Sequence, residues 1–185
     1  MDDIVKQAMA RWPNVPDCYG WLGLDARGDW YLRDDLTQAQ GGFVQAKGSV
    51  LRHDKLIAFI ARNYLADAQG RWFFQNGPQR VFVELESTPW VWRLQADASA
   101  PAAAPRVTSH TGLATQAEAC LVDAQGHAYL ATPLGLGRVH TQDMGVLADV
   151  LDAGLWQAEP VDGAQLPARF GFVRSPAAQR QGRIG

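Results

Sequence analysis

The hairpin-like segment Gln75–Arg80 is where this chain concentrates polar groups able to grip a ligand: Gln75, Asn76, Gln79 and Arg80. Two Gln side chains and one Asn at a tight turn would supply donors and acceptors. The planar guanidinium of Arg80 matches a carboxylate or phosphate with two parallel hydrogen bonds. The alternative use of the same residues is structural, with Asn76-Gly77-Pro78 making a turn and Arg80 pairing with a neighbouring Glu. Trp90 and Trp92 flank Val91, so on a strand both point to one face. Exposed, that face is a binding patch; buried, it is core.

His53 precedes Asp54, and His140 stands near Asp143, each at the start of a helical pattern. Either imidazole could act as a general base or contribute to a ligand site. Capping a helix is the competing role. The four histidines (53, 110, 127 and 140) show no HxH, HxxxH or HExxH spacing, so no metal site is expected. No nucleophile stands out: Gly48-Ser49 lacks the Gly-x-Ser-x-Gly elbow, and Cys18 has no histidine nearby in sequence. Gly135-Leu136-Gly137 is too short for a dinucleotide fingerprint, and no phosphate-binding Gly-Lys-Ser/Thr loop occurs. No catalytic residue and no cofactor are assigned.

These groups need a scaffold, and its clearest mark is a tetrapeptide. Asp-Ala-x-Gly occurs at Asp25–Gly28, Asp67–Gly70 and Asp123–Gly126, each time just before large side chains. Asp first and Gly fourth suit a type I turn whose last residue takes positive φ, so each copy reads as a β-hairpin. One carboxylate per turn is too few for a calcium loop. Helical spacing is expected from Asp2 to Trp12, from Asp54 to Tyr64 and from Gln142 to Asp152, the last capped by Thr141. Strands are expected at 71–75, 80–86, 90–94, 119–122, 128–132 and 137–140, with Asn76-Gly77 as a further hairpin signal. Short edge strands are expected near Trp156 and over 170–173, and a long loop over 34–50.

A turn, a strand, a connection holding Arg and His, then an amphipathic helix occur in both halves, which pairs the first Asp-Ala-x-Gly turn with the third. The expected fold class is α+β: two tandem, structurally similar repeats, each a curved antiparallel sheet on one helix, plus a short N-terminal helix. The boundaries read as a first unit over 1–95, an Ala/Pro-rich linker over 96–106, a second unit over 107–174 and a disordered tail over 175–185.

Composition narrows the partners. A chain of 185 residues with 47% hydrophobic residues can bury a core, and a net charge of −2 argues against bulk electrostatic binding to nucleic acid or anionic membrane. The tryptophans and arginines of the first half resemble a single-strand nucleic-acid platform, but Glu84 and Glu86 share those strands. Neither a leader nor a membrane span is indicated, and two cysteines without CxxC spacing suit a reducing compartment. The expectation is a cytoplasmic protein.

The residues Trp12-Pro13, Val15-Pro16, Cys18-Tyr19, Trp21-Leu22 and Trp72–Val81 resemble a proteobacterial family of uncharacterised proteins. More distantly, the order of hairpin, helix, Asp-x-x-Gly-x-Trp, paired strands and Thr88-Pro89-Trp90-Val91 is similar to a second bacterial family of unknown function. That resemblance implies two similar α+β repeats and a suggested role in ligand sensing or signal transduction. It transfers no catalytic residue.

The preferred reading is a non-enzymatic ligand-binding or regulatory module with an unknown small molecule or protein as partner. Its site is expected between the repeats, bordered by the Gln75–Arg80 hairpin, the Trp90/Trp92 strand and the 34–50 loop. Alternatives are a small hydrolase or transferase with His53 or His140 as base, and a homo-oligomeric assembly subunit.

Overall fold

The computed structural model describes residues 1–97 and 103–182. The chain forms two compact units, the first from residues 1–25, 29–87 and 171–185 and the second from 26–28 and 88–170. The first unit runs α1 (Asp3–Arg11), β1 (Cys18–Leu24), β2 (Trp30–Leu32), α2 (Asp35–Ala39), β3 (Ser49–Val50), α3 (Asp54–Arg62), β4 (Tyr64–Ala66), β5 (Trp72–Asn76) and β6 (Gln79–Leu85). The second holds β7 (Trp90–Gln95), β8 (Arg106–Ser109), β9 (Ala114–Thr115), β10 (Ala119–Asp123), β11 (Ala128–Thr132) and β12 (Gly135–Val139). It ends with α4 (Met144–Asp152), β13 (Ala158–Val161) and α5 (Leu166–Phe170). The chain then returns to the first unit, where α6 (Pro176–Gln181) docks.

Each unit is built on one plan. In the first, the antiparallel meanders β1-β2-β3 and β4-β5-β6 are joined by parallel pairing of β1 with β6. In the second, β7-β8-β9 and β10-β11-β12 are joined by parallel pairing of β7 with β12, and β13 adds beside β10. The α+β class, the duplication and the N-terminal helix match the sequence reading. The sheets are mixed rather than purely antiparallel, because the first and last strands of each six-stranded set meet side by side, a pairing that only a long crossover allows.

The three Asp-Ala-x-Gly segments all make the expected turn. Asp25 Oδ1 accepts from the Asp29 N–H, Asp67 Oδ1 from those of Gln69 and Arg71, and Asp123 Oδ1 from those of Gln125 and His127, all at 2.9–3.0 Å. Gly28, Gly70 and Gly126 take φ of +88°, +74° and +79°, which a Cβ would oppose. Topology pairs the second turn with the third, both joining the first two strands of a second meander, instead of the first with the third. The counterpart of the first turn is the connection from β7 to β8. That connection is the Ala/Pro-rich stretch read as an inter-unit linker. It joins paired strands of one sheet, Gln95 opposite Arg106, and its residues 98–102 lie outside the described residues.

Other boundaries moved for tertiary reasons. β7 belongs to the second sheet, because Trp90 and Trp92 pack there. The 34–50 stretch contains α2, capped by Asp34 accepting from Thr37, and the short β3. Buried Arg33 fastens the loop after α2 by donating to the carbonyls of Gly20, Gly41 and Ala46. His140 rather than Thr141 caps the turn that leads into α4. Residues 166–170 are helical, and the sequence near Trp156 starts β13 two residues later.

The tail read as disordered forms α6, while residues 183–185 lie outside the described set. Val173 N–H donates to Gly70 O, and Leu85 N–H to Arg174 O. Phe172 and Pro176 are buried, and Glu84 accepts from the Ser175 hydroxyl and the Ala177 N–H. The face of β6 bearing Phe82 and Glu84, which alternation left half polar, is therefore covered by this returning segment. Both faces of β6 are buried from Phe82 to Leu85.

Candidate functional site

The β5–β6 hairpin turns on Gly77 and Pro78, with Asn76 opposite Gln79. Only Gly77 has positive φ, at +56°. The central pair is thus Gly-Pro, the pattern of a II′ turn, and not Asn-Gly. Asn76 is exposed, and Gln79 Nε2 donates to Pro16 O at 3.0 Å.

Gln75 and Arg80 are cross-strand partners, so their side chains share one face. Arg80 does pair structurally, but with Asp17 in the connection before β1 rather than with a Glu. Its Nε and Nη2 donate to Asp17 Oδ1 and Oδ2, both at 2.8 Å, and its guanidinium lies over the Phe73 and Phe82 rings. The fork offered by the sequence to a carboxylate ligand is thus filled by a carboxylate of the chain itself. Gln75 is 1% exposed. Its Nε2 donates to Gly77 O at 2.8 Å, and among the described residues no donor reaches its Oε1.

These groups border a pocket of about 440 Å³. Met9 and Trp12 at the end of α1, together with Phe73 and Pro78, make its apolar walls. Asp17, Gln75 and Arg80 supply its polar groups. Trp12 is half exposed, as a wall residue at a pocket mouth would be. Helix α1 earns this place because only its Val5 is buried, which leaves Met9 and Trp12 for the rim. Neither Asp17 nor Trp12 was singled out as a site residue from the sequence. The run of Trp12, Pro13, Val15, Pro16 and Asp17 was the available signal, a stiff apolar segment ending in a charge.

The other expected site residues are placed elsewhere. Trp90 and Trp92 are buried in the second unit, their rings stacked at 5.9 Å. Their indole N–H groups donate to Leu134 O and Leu130 O at 2.7 and 3.0 Å. They are core, and the reason is local. Gly137 has no side chain on the neighbouring strand, and a Cβ there would lie 2.4 Å from Trp92 Nε1. His53 caps α3, its Nδ1 accepting from the Leu56 N–H at 3.2 Å, and His140 accepts from the Gln142 N–H at 3.1 Å.

Other reactive side chains also have structural uses. Burial pushes the Cys18 and Cys120 thiols up, away from the thiolate. Burial works to raise the Asp67 carboxyl, but the Arg71 guanidinium at 2.7 Å and two backbone N–H groups hold it below its ordinary value. Asp123 is held down in the same way against burial by its N–H donors, Tyr129 and His127. Among the described residues no group of three or more His, Cys, Asp or Glu could hold a metal ion, and no helix is long and apolar enough to cross a membrane.

The fold and pocket define a duplicated α+β protein with a small-molecule-sized cavity in its first unit. Residues 1–177 match DUF2944, a family described as "Protein of unknown function (DUF2946)", and the chain belongs to that family. No curated protein matches. Two solved structures are similar in fold, both DUF1285 family proteins. The one from Silicibacter pomeroyi DSS-3 has 12% identity and a TM-score of 0.48, covering 74% of this chain and 73% of that one. The one from Shewanella baltica OS155 has 15% identity and a TM-score of 0.48, covering 74% and 97%.

Proposed function

We propose that the protein is a non-enzymatic binding or regulatory module whose small-molecule site is the first unit's pocket. The observation that carries this is the meeting, in one cavity, of the polar hairpin with an aromatic wall. At about 440 Å³ the cavity is within the usual range for small ligands. Its lining combines apolar side chains with a few polar groups that can orient a ligand. Binding is favoured over catalysis by how the titratable groups are spent: His53 and His140 accept capping bonds, and Asp17 is held by Arg80. The free thiols fit a reducing, cytoplasmic compartment.

Saturation-transfer NMR with small aromatic probes tests this reading. Signals from at least one of benzoate, uracil and toluene should appear with the wild-type protein and vanish with Trp12→Ala. No signal from any of them, or signals that survive both Trp12→Ala and Arg80→Ala, would refute it.

A further inference from the structure

Resting on that binding reading, we propose that the pocket takes an uncharged planar heterocycle with a lactam edge, an N–H donor beside a C=O acceptor. Charge is the first argument. Asp17 meets both Nε and Nη2 of Arg80, so these two side chains neutralise each other. An anion would have to compete with Asp17, and a cation would meet the guanidinium. A neutral ligand faces neither penalty.

Hydrogen-bonding capacity is the second. Gln75 is buried, and its Oε1 has no donor among the described residues, although the residue lines the pocket. A guest that covers this acceptor without donating to it leaves it buried and unpaired, which is costly, whereas an N–H guest satisfies it. Arg80 stands directly across the strand pair and retains N–H groups that Asp17 does not use, since Nη1 makes no bond among the described residues. Gln75 and Arg80 line the pocket from paired positions, so one guest can meet an acceptor and a donor, the complement of a lactam edge. Shape is the third argument: Pro78 and the half-exposed Trp12 offer flat faces to a ring.

The test compares two probes of equal bulk by calorimetric titration. In 5,6-dimethyluracil both ring N–H donors remain, whereas in 1,3-dimethyluracil both are methylated. The inference expects the former to bind roughly tenfold more tightly, the effect of leaving one buried acceptor without its donor. That ratio should fall to about one in Gln75→Met, with folding checked by near-ultraviolet circular dichroism. If this variant does not fold, the wild-type ratio alone decides. Equal binding of the two uracils, or tighter binding of benzoate than of either, overturns the lactam assignment and leaves the pocket standing. Failure of all three to bind takes down the pocket reading as well.

Discussion

Replacing Glu84 by alanine should detach the returning C-terminal segment from the first sheet. The Glu84 carboxylate lies on the covered face of β6 and accepts from the Ser175 hydroxyl and, at 3.0 Å, from the Ala177 N–H. The Ser175 oxygen in turn accepts the Ala178 N–H, so one carboxylate organises the first turn of α6. A buried donor left without its acceptor costs about 1–3 kcal/mol. The serine hydroxyl can rotate to water, so the loss rests chiefly on the Ala177 N–H and on the vacated space. A destabilisation of about 2 kcal/mol is expected. Glu84→Gln keeps one oxygen acceptor and should stay within about 1 kcal/mol of wild type.

The pH response separates the wild type from both variants. Burial pushes the Glu84 carboxyl above its ordinary value of 4.5, against the opposing pull of Ser175, Ala177 and the Arg33 guanidinium. A group with a raised folded value contributes its stability below the ordinary carboxylate range and loses it as pH rises through the folded value. The wild type should therefore lose this contribution on going from acid towards neutrality, and Glu84→Gln should not. Urea denaturation at several pH values gives the energies. Hydrogen exchange at Val173 and Ala177 reports whether the segment opens locally before the sheet does. If Glu84→Ala matches wild type within about 0.5 kcal/mol, or Glu84→Gln costs as much as alanine, the clasp assigned to this carboxylate is wrong.

Further outcomes follow from other contacts. Gly137→Ala would drive a methyl to 2.4 Å from Trp92 Nε1, so overpacking alone should cost about 1–3 kcal/mol, with a shifted tryptophan emission as the readout. His110 is pushed down to about 3 by burial. Unfolded chains then bind a proton that the folded second unit refuses, and stability there should fall by about 1 kcal/mol per pH unit as pH drops below the ordinary histidine value. His110→Gln should flatten that acid limb in urea melts. His53→Ala removes a single capping bond at an exposed helix start and should cost about 0.5–1 kcal/mol in thermal melts, with His53→Ser restoring most of it.

Much of the scaffold was legible because it is written in local stereochemistry. The three Asp-Ala-x-Gly turns were readable since Asp folds back on its own backbone N–H groups and Gly tolerates positive φ wherever the chain goes. The helix over 54–62 followed from its spacing, and the capping role weighed for His53 and His140 needed only neighbouring residues. The Gln75–Arg80 cluster was visible as a polar hairpin, but its use was not. Asp17, which neutralises Arg80, is 63 residues away in sequence, and no local pattern announces such a pair. Trp90 and Trp92 show the same limit: alternation put them on one face but could not say whether that face meets water. Gly137 on a neighbouring strand decided it.

The sequence by itself determined the turns, three of the six α-helices (α1, α3 and α4), most strands and the fact of duplication, since these depend on backbone preferences and apolar spacing within a few residues. Tertiary structure alone decided which strands are neighbours, including the parallel pairing of β1 with β6 and of β7 with β12. It also decided that residues 171–182 return to cover Glu84, and that Asp17, Trp12, Gln75 and Arg80 border one pocket. Such choices depend on burial and charge pairing between segments far apart in the chain. A polar or aromatic residue carries no mark in its own sequence neighbourhood of what will stand opposite it.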